Sequence, residues 1–403
     1  MKTIKFASAI VLPIFAFCTF AQQFDDSASI PFGGFDITPT VDIALRYDDN
    51  VARENLNKID SWSRIVAPQI SMINSLGSSD VTFAYRIVNE DFFSSSEDDY
   101  TDHFFLARAD VEFNSRNRVI ASLNFEDGHD ARGSAFSIGF GDQLTEPDKY
   151  KESDFDILYS YGAFNATGRL DVNFNVTELN YDIDTADYRA RDRVFTTLGG
   201  TFFYRISPAT DATFDIIYTD VDYKFALNTN NPLDSRQISY LVGLQWEATA
   251  QTSGFAKIGY QEKNFSSSMR EDFEGVDWAL GVLWEPVEYS SVEFTTRSDT
   301  NETNGEGNFI RGDAHSIEWR HDWLERLRSS VRFTVANNRY EGQIVNDLGI
   351  RSDDNRRLQA SAYYQFRRWL NFELRYTYDE RDSSRDFIDF DRNQLMFNAL
   401  ITL

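Results

Sequence analysis

Alternation between apolar and polar residues is the dominant pattern in this chain. From Ile37 to Tyr47 every second residue is apolar, and the residues between them include Thr38, Asp42 and Arg46. This period of two is typical of a β-strand with one apolar and one polar face, and about eleven residues are enough for a tilted strand to cross a bilayer. A soluble β-sandwich shows the same alternation, so the fold depends on how often the pattern recurs.

The alternation recurs in eighteen segments between about Ile37 and the C-terminus. Clear examples are the apolar stripes within residues 81–87, 238–246 and 276–284. A β-propeller also repeats at about forty residues, but each blade needs four short strands, whereas a similar length of this chain holds two long ones. The recurrence therefore favours many membrane-crossing strands.

The connections between these segments alternate in length. Eight are short, as at Ser75–Ser79, and nine are long and polar, as at Glu126–Lys151. Outer-membrane barrels have short periplasmic turns and long external loops, and a soluble sandwich has no reason to sort its connections in this way. We predict an all-β fold: a transmembrane, up-and-down antiparallel β-barrel of about eighteen strands, with both ends in the periplasm. Sixteen strands is the alternative if the weak segments near Val292 and Val331 are not strands.

The first residues form a segment of a different kind. Two lysines precede an apolar run that ends at Phe20, and Ala21 is a small residue at the expected cleavage position, as in secretory signal peptides. We expect a signal peptide over residues 1–21, a short periplasmic segment over 22–35 and the outer-membrane barrel over 36–403. A lipid anchor on Cys18 is disfavoured, because Phe17 stands where a small residue is needed.

Composition narrows the classes of partner. Cys18 is the single cysteine, so cleavage after Ala21 excludes disulfides and cysteine metal sites in the mature chain. The net charge of −25 argues against nucleic acid, whose phosphates would be repelled. Much of this charge lies in the predicted loops, where it serves solvation or, alternatively, binds divalent cations at the lipopolysaccharide surface. Outer-membrane lipid and lipopolysaccharide are therefore the expected surroundings.

Aromatic residues gather at the predicted strand ends, while small residues such as Ala107 and Gly200 lie mid-strand. Two interfacial aromatic girdles are typical of membrane barrels, and a sandwich core would not sort residues in this way. The predicted girdle residues are Tyr47, Tyr204, Trp246, Trp284, Trp319, Phe366 and Tyr376.

The residues that alternate with the apolar stripes are expected to face the lumen. They are polar and mixed in sign, and a barrel of sixteen to eighteen strands is wide enough for an aqueous channel. They fit either a water-filled pore with a transverse field or a network that stabilises the wall or an infolded loop; the width favours a pore. The predicted lumen-lining residues are Arg46, Arg86, Arg108, Asp110, Glu112, Arg193, Asp215, Lys257, Glu293, Arg297, Glu318, Arg320, Arg332, Arg357, Glu373 and Arg375.

Catalysis is the less favoured alternative. His129 and Asp130 lie in the long connection Glu126–Lys151 and could serve a barrel hydrolase, but no nucleophile lies nearby in the sequence. No phosphate-binding glycine loop and no histidine-rich metal spacing occurs in the chain. We therefore predict no catalytic residue, cofactor or metal site, and do not expect an enzyme.

The opening of the predicted barrel carries three short motifs: Pro39-Thr40-Val41, Tyr47-Asp48-Asp49-Asn50-Val51 and Val66-Ala67-Pro68-Gln69-Ile70. In these it resembles the putative β-barrel porin 2 family, whose members begin with a strand ending in a Tyr-Asp-Asp-Asn-like turn, followed by a strand that carries a proline. The resemblance extends over nearly the whole mature chain. It implies an outer-membrane protein, often encoded with exopolysaccharide or capsule genes, and no catalytic residues.

Together these observations predict a porin-like channel that serves exopolysaccharide export or assembly, with polysaccharide and export-machinery proteins as partners. The alternatives are a general diffusion porin for small solutes and the barrel hydrolase.

Overall fold

The computed structural model describes residues 29–249, 251–342 and 349–402. The predicted signal peptide, residues 22–28 and the C-terminal Leu403 lie outside these ranges. Within the ranges the chain forms a closed antiparallel barrel of eighteen strands. No helix among the described residues is long and apolar enough to cross a membrane.

A short strand, β1 (Ile30–Phe32), pairs antiparallel with the start of the barrel, within the segment predicted to be periplasmic. The one α-helix assigned in the described ranges is α1 (Ala186–Arg189). The barrel strands are β2 (Phe35–Asp48), β3 (Ser61–Leu76), β4 (Ser79–Phe92), β5 (Tyr100–Asn114), β6 (Asn117–Asp130), β7 (Asp148–Tyr161), β8 (Gly168–Tyr181), β9 (Arg193–Ser207), β10 (Thr210–Tyr223), β11 (Ser235–Thr249), β12 (Thr252–Phe265), β13 (Phe273–Val287), β14 (Ser290–Glu302), β15 (Phe309–Leu324), β16 (Leu327–Glu341), β17 (Ser352–Arg367), β18 (Leu370–Ser383) and β19 (Phe390–Thr402).

Each barrel strand pairs with the next along the chain, and β19 closes the barrel on β2, from Thr402 opposite Thr40 to Gln394 opposite Asp48. The predicted up-and-down topology and count of eighteen are confirmed. The weak segments are real strands, β14 and β16, so the sixteen-strand alternative is wrong. The first and last described residues, Ser29 and Thr402, lie at the end of the barrel that carries the short turns. We call the opposite end, with the long connections, the upper end.

The two faces of the wall have opposite character. Ile43 and Leu45 on the outer face of β2 are 45% and 43% exposed, whereas Asp42 and Ala44, which alternate with them, are 5% exposed each. Apolar side chains outside and polar side chains inside reverse the arrangement of a soluble protein and match a membrane barrel.

The wall is regular except between β13 and β14. These strands pair from Trp284 opposite Val292 to Ala279 opposite Arg297, with one further pair beside the turn. Above this level β13 still pairs with β12, up to Phe273, and β14 still pairs with β15. The upper parts of β13 and β14, residues 273–278 and 298–302, are therefore separated.

The upper part of β14 lies inside the barrel. The Glu302 carboxylate accepts hydrogen bonds from Lys263 Nζ at 2.5 Å and from the Tyr223 hydroxyl at 2.8 Å, and Thr300 Oγ1 donates to Gln261 Oε1 at 2.7 Å. Lys263, Gln261 and Tyr223 belong to the inner faces of β12 and β10. Residues 298–313, which we call the tucked hairpin, thus pack behind β12 and β13.

The sequence explains why this hairpin leaves the wall. The outward stripe of β14 begins with Val292 and Phe294, but continues with Thr300 and Glu302, and Arg311 lies opposite Thr300 on β15. Charged residues on the lipid face of a barrel destabilise it by up to about 2–4 kcal/mol each, depending on depth. Inside the barrel, these charges find polar partners instead.

Cross-linking between introduced cysteines tests the tucked hairpin. In the double variant Gln261→Cys, Thr300→Cys, a short bis-maleimide should join the two thiols in high yield, because the native side chains are hydrogen-bonded. In a regular wall, continuation of the register would place Thr300 opposite Val276, so Val276→Cys, Thr300→Cys is the matched control. Efficient cross-linking of the control pair instead would show that β14 completes the wall.

Candidate functional site

The predicted lumen-lining residues lie on the inner face, opposite the exposed apolar stripes. Most form ion pairs between strands, and Arg46 with Glu90 and Arg86 with Asp42 both bridge β2 and β4 across β3. The further pairs are Asp110 with Arg118, Asp215 with Lys257, Glu318 with Arg320 and with Arg332, Glu293 with Arg320, Arg297 with Asp299, Arg357 with Asp379, and Glu373 with Arg375.

The remaining three residues of that prediction make other contacts. Arg108 interacts electrostatically with Asp156, Arg193 donates to the Arg191 carbonyl at 2.9 Å, and Glu112 lies close enough to Arg118 to interact with its charge. The inner wall therefore contains an extensive ion-pair network, and its role in solute passage stays a prediction.

The predicted girdle residues project from the outer face. Tyr204, Trp284 and Phe366 are 48%, 47% and 44% exposed, and Tyr47 packs against Trp62 with ring centroids 5.3 Å apart. Trp246, Trp319 and Tyr376 share the apolar stripes of their strands. Their contact with an interface between lipid and water stays a prediction.

The upper end of the barrel is crossed by the connection between β6 and β7, residues 131–147, which we call the mouth loop. Its Arg132 carbonyl accepts a hydrogen bond from Arg53 Nη1 at 3.0 Å, and its Ala135 carbonyl accepts one from Asn304 Nδ2 at 3.3 Å. Arg53 lies between β2 and β3, whereas Asn304 lies in the tucked hairpin, eight strands from β6. The mouth loop thus reaches from its own wall to the hairpin.

Two glycines permit this close approach. A Cβ on Gly133 would lie 1.8 Å from the Ala52 carbonyl oxygen, and φ is +74° there. A Cβ on Gly139 would lie 2.5 Å from Ile388, in the connection between β18 and β19. Any larger residue at either position would push the mouth loop away from its neighbours.

A buried ion pair anchors the start of the mouth loop. Arg132 Nε donates to Asp98 Oδ1 at 2.8 Å, and Arg132 also donates to Ser95 Oγ and to the Leu144 carbonyl. The hydrogen bonds that Arg132 donates to the Asp98 carboxylate raise the pKa of the Arg132 guanidinium. Breaking such a pair by removing one partner costs about 3–5 kcal/mol, so this contact holds the loop in place.

A cavity of about 190 Å³ lies below the mouth loop. Its lining is mainly polar, with three arginines from three connections or strands. The lining residues are Arg46, Asp48, Val51, Arg53, Phe92, Asp98, Tyr100, His129, Ala131, Pro147, Arg392 and Gln394. We call it the mouth cavity.

His129 takes part in this cavity, and the sequence-based interpretation of its surroundings was wrong. It lies at the end of β6 rather than in the loop, and its Nδ1 is 2.9 Å from Asp102 Oδ1. The neighbouring Asp130 instead accepts a hydrogen bond from the Tyr181 hydroxyl at 2.7 Å. The described ring contact of His129 is with Tyr100, at 3.9 Å between centroids.

An aromatic cluster lies beside the mouth loop. The Arg191 guanidinium stacks 3.9 Å from the Tyr188 ring and 4.3 Å from the Phe136 ring, and Tyr181 packs edge-on against Phe136. Arg191 Nη1 also pairs with Asp148 at 2.9 Å. The cluster combines flat apolar surfaces with hydrogen-bonding groups.

Below this cluster, the inner faces of β7 and β8 carry amides, hydroxyls and carboxylates. Asn175 Nδ2 and Thr177 Oγ1 both donate to Asp154, at 2.6 and 2.8 Å, and Asn173 Nδ2 donates to Asp156 at 2.5 Å. We call this surface the polar wall.

Sequence reasoning identified the long connection but missed Arg53, Tyr100, Arg132 and Arg392 as site residues. The available signal was three glycines within residues 131–147, at 133, 139 and 141, which indicate close backbone approaches rather than a solvated loop.

Shortening the mouth loop tests whether it limits passage. Replacing residues 134–140 with Gly-Gly removes the contacts with Asn304 and Ile388, so the single-channel conductance in planar bilayers should rise several-fold. The control replaces residues 228–230, at the tip of a connection on the other side, and should leave the conductance unchanged. Unchanged conductance in both variants would contradict an occluding role.

Acidification should strengthen closure through Glu54. Burial raises the pKa of its carboxyl above the usual 4.5, and its Oε1 accepts the Asp142 N–H of the mouth loop at 3.2 Å. The hydrogen bond from Asp142 favours the ionised carboxyl, but burial, which favours the protonated form, outweighs it. The closed arrangement around Glu54 is therefore most stable at low pH and loses stability as pH rises through the raised value. We expect fewer open events at pH 5 than at pH 8.

The variant Glu54→Gln carries a neutral side chain that keeps the acceptor oxygen, so at pH 8 it should open as rarely as wild type does at pH 5. A pH response of the same size in this variant would exclude Glu54 as its source.

Comparison with known proteins identifies the family. The model of the family described as putative beta-barrel porin 2 matches residues 26–402, which confirms the resemblance seen at the start of the barrel. No curated protein matches the sequence.

Among solved structures, the chain is similar to three outer-membrane proteins. Pseudomonas aeruginosa OpdK with vanillate shares 11% identity over 91% of this chain and 99% of its own, at a TM-score of 0.49. Pseudomonas aeruginosa OpdL shares 10% over 92% and 100%, at 0.48. The FrpB iron transporter from Neisseria meningitidis shares 11% over 91% and 81%, at 0.45. At these TM-scores no inference about this chain rests on the three. From the family match, the chain belongs to the putative beta-barrel porin 2 family and is a porin-like outer-membrane β-barrel channel.

Proposed function

We propose that this protein is a gated outer-membrane channel that serves exopolysaccharide export or assembly. The observation that carries the proposal is the combination of the aromatic cluster with the polar wall along one side of the interior. Sugar rings present C–H faces that stack on aromatic rings, and hydroxyls that pair with amides and carboxylates. A hydroxyl-rich polymer would meet both kinds of surface in succession.

The polar wall suits sliding contact with many hydroxyls. Its carboxylates accept hydrogen bonds from neighbouring side chains, as Asp154 does from Asn175 and Thr177. These two donors are 3% and 5% exposed and stay in place, while the partly exposed carboxylates of Asp154 and Asp156 can accept sugar hydroxyls on their remaining lone pairs, at about 1 kcal/mol for each bond. A passing chain would therefore be guided without being held tightly.

A general diffusion porin is the alternative. It is favoured by cations that remain accessible on the inner wall, since the side chains of Arg332 and Arg357 are 47% and 59% exposed. The mouth loop argues for a gated channel, because a general porin would need a mouth that stays open.

The proposal places the barrel in the outer membrane after cleavage of the signal peptide, beside lipopolysaccharide and export-machinery proteins. Support for the lipopolysaccharide contact comes from exposed ion pairs on the outer face at the upper end. Arg236 pairs with Asp220 at 3.1 Å, and Lys151 pairs with Asp182 at 2.7 Å. Phosphates of the outer leaflet could exchange with these carboxylates.

Conductance and secretion together test the proposal. Purified full-length protein should conduct in planar bilayers, and neutral and acidic oligosaccharides should block the current in a length-dependent manner. A strain that lacks the gene should secrete less polymer, and expression of the wild-type chain should restore secretion.

Different outcomes separate the alternatives. Conductance without oligosaccharide block, together with normal polymer secretion in the deletion strain, would favour the diffusion porin. Absence of conductance from both the wild-type chain and the variant with the shortened mouth loop would contradict a channel of either kind.

A further inference from the structure

The mouth cavity holds an imbalance of charge. Arg46 pairs with Glu90, and Arg132, which approaches from the loop above, pairs with Asp98. Arg392 pairs with Asp379 at 2.9 Å. Each of these cations thus forms an ion pair, although Asp379 is shared with Arg357.

Arg53, the third arginine in the lining of the mouth cavity, differs from Arg46 and Arg392. Among the described residues it makes no ion pair, and the hydrogen bond described for its guanidinium goes to a neutral carbonyl, that of Arg132. Burial, followed by repulsion from Arg392, lowers its pKa to about 9, although Asp48 and Asp379 act in the opposite direction. The charge on Arg53 is therefore poorly compensated by the protein itself.

The chain holds Arg53 in a strained conformation. Its φ is +54°, a region that favours glycine. The side chain of Asn50 fixes the turn, since its Nδ2 donates to the Glu54 carbonyl at 2.8 Å and its Oδ1 accepts the Glu54 N–H at 2.9 Å. Backbone strain of about 1–3 kcal/mol persists where surrounding contacts enforce it, and such strain concentrates at functional sites.

A second cation in the same cavity has an unused donor. Arg392 is 7% exposed, and its Nε has no hydrogen-bond partner among the described residues. The Nε of Arg46 is likewise buried without a partner. These two donors can each form a hydrogen bond with an acceptor that enters the cavity.

The carboxylates that line the mouth cavity already have hydrogen-bond partners within the protein. Asp48 accepts the Asn50 N–H at 3.0 Å and Gln394 Nε2 at 2.7 Å, and Asp98 is held by Arg132. Asp48 also lies 3.6 Å from Arg392, so its charge is shared between Arg392 and Arg53 rather than paired directly with Arg53. An anion that enters would meet three guanidinium groups, of which that of Arg53 forms no direct ion pair among the described residues.

The size and the remaining lining indicate what kind of anion fits. A volume of about 190 Å³ has room for roughly six waters at about 30 Å³ each, which is more than a chloride ion needs and less than a drug-sized ligand fills. Tyr100, His129 and Gln394 add ring surfaces and polar groups that suit hydroxyls. Charge-assisted bonds between arginine and an oxyanion are about twice as strong as neutral hydrogen bonds.

We propose that the mouth cavity binds the carboxylate of an acidic sugar unit, so that the polymer served by the channel is an acidic polysaccharide. This rests on the exopolysaccharide function proposed above and names its substrate class. An oxyanion such as phosphate shares the same chemistry, so the test must separate the two.

Isothermal titration calorimetry on the purified full-length chain in detergent tests the site with three probes: glucuronate, glucose and inorganic phosphate. Wild type should bind glucuronate more tightly than glucose or phosphate. Arg53→Gln should weaken glucuronate binding at least tenfold, and Arg53→Lys should recover part of it. The matched control, Arg64→Gln, removes an arginine that lies on the outer face opposite Leu45 and is 59% exposed, and it should bind as wild type does.

Heat-modifiable migration in electrophoresis verifies that each variant folds. Equal glucuronate affinity in wild type and Arg53→Gln would overturn the site. Phosphate binding that exceeds glucuronate binding would overturn its assignment to a sugar acid, as would glucose binding as tightly as glucuronate. These failures are distinct from failure of the proposed function, which would appear as normal polymer secretion in the deletion strain even if glucuronate binds.

Discussion

Everything in this structure depends on pairing the backbone in a solvent that offers no hydrogen bonds. In the hydrocarbon core of a bilayer, every N–H and C=O must find a partner within the protein, so strands can cross only as a closed sheet. The register between β19 and β2 closes that sheet. Once it is closed, the period of two places apolar side chains towards lipid and polar ones towards the interior along every strand.

The same constraint explains the one irregular place in the wall. Where the outward stripe of β14 turns polar, at Thr300 and Glu302, the strand leaves β13 and packs inside the barrel. There Glu302 meets Lys263 and Tyr223. The tucked hairpin in turn supplies Asn304, one of the contacts of the mouth loop. The polar residues at the upper end of β14 thus place the tucked hairpin inside the barrel, where it helps to occlude the mouth.

The barrel fold could largely be predicted from the sequence, whereas the contacts that form the mouth of the barrel could not. Alternation and connection length are local properties, so eighteen strands and their order could be predicted from segments such as residues 37–47. The contacts between Arg53 and Arg132, or between Asn304 and Ala135, join residues that are far apart in sequence and not paired by any ladder. His129 illustrates the limit: its neighbour in sequence is Asp130, but its partner is Asp102 on the adjacent strand.

The central claim is a water-facing interior beneath an occluded mouth, and adjacent positions on β17 test it most directly. Gln359 lies on the inner face and Ala360 on the outer stripe. In intact cells, a small charged thiol reagent should label Gln359→Cys and leave Ala360→Cys unlabelled, while a polymer-linked maleimide added outside should label neither. Labelling of Ala360→Cys in preference to Gln359→Cys, or free access of the polymer-linked reagent to Gln359→Cys, would contradict the account.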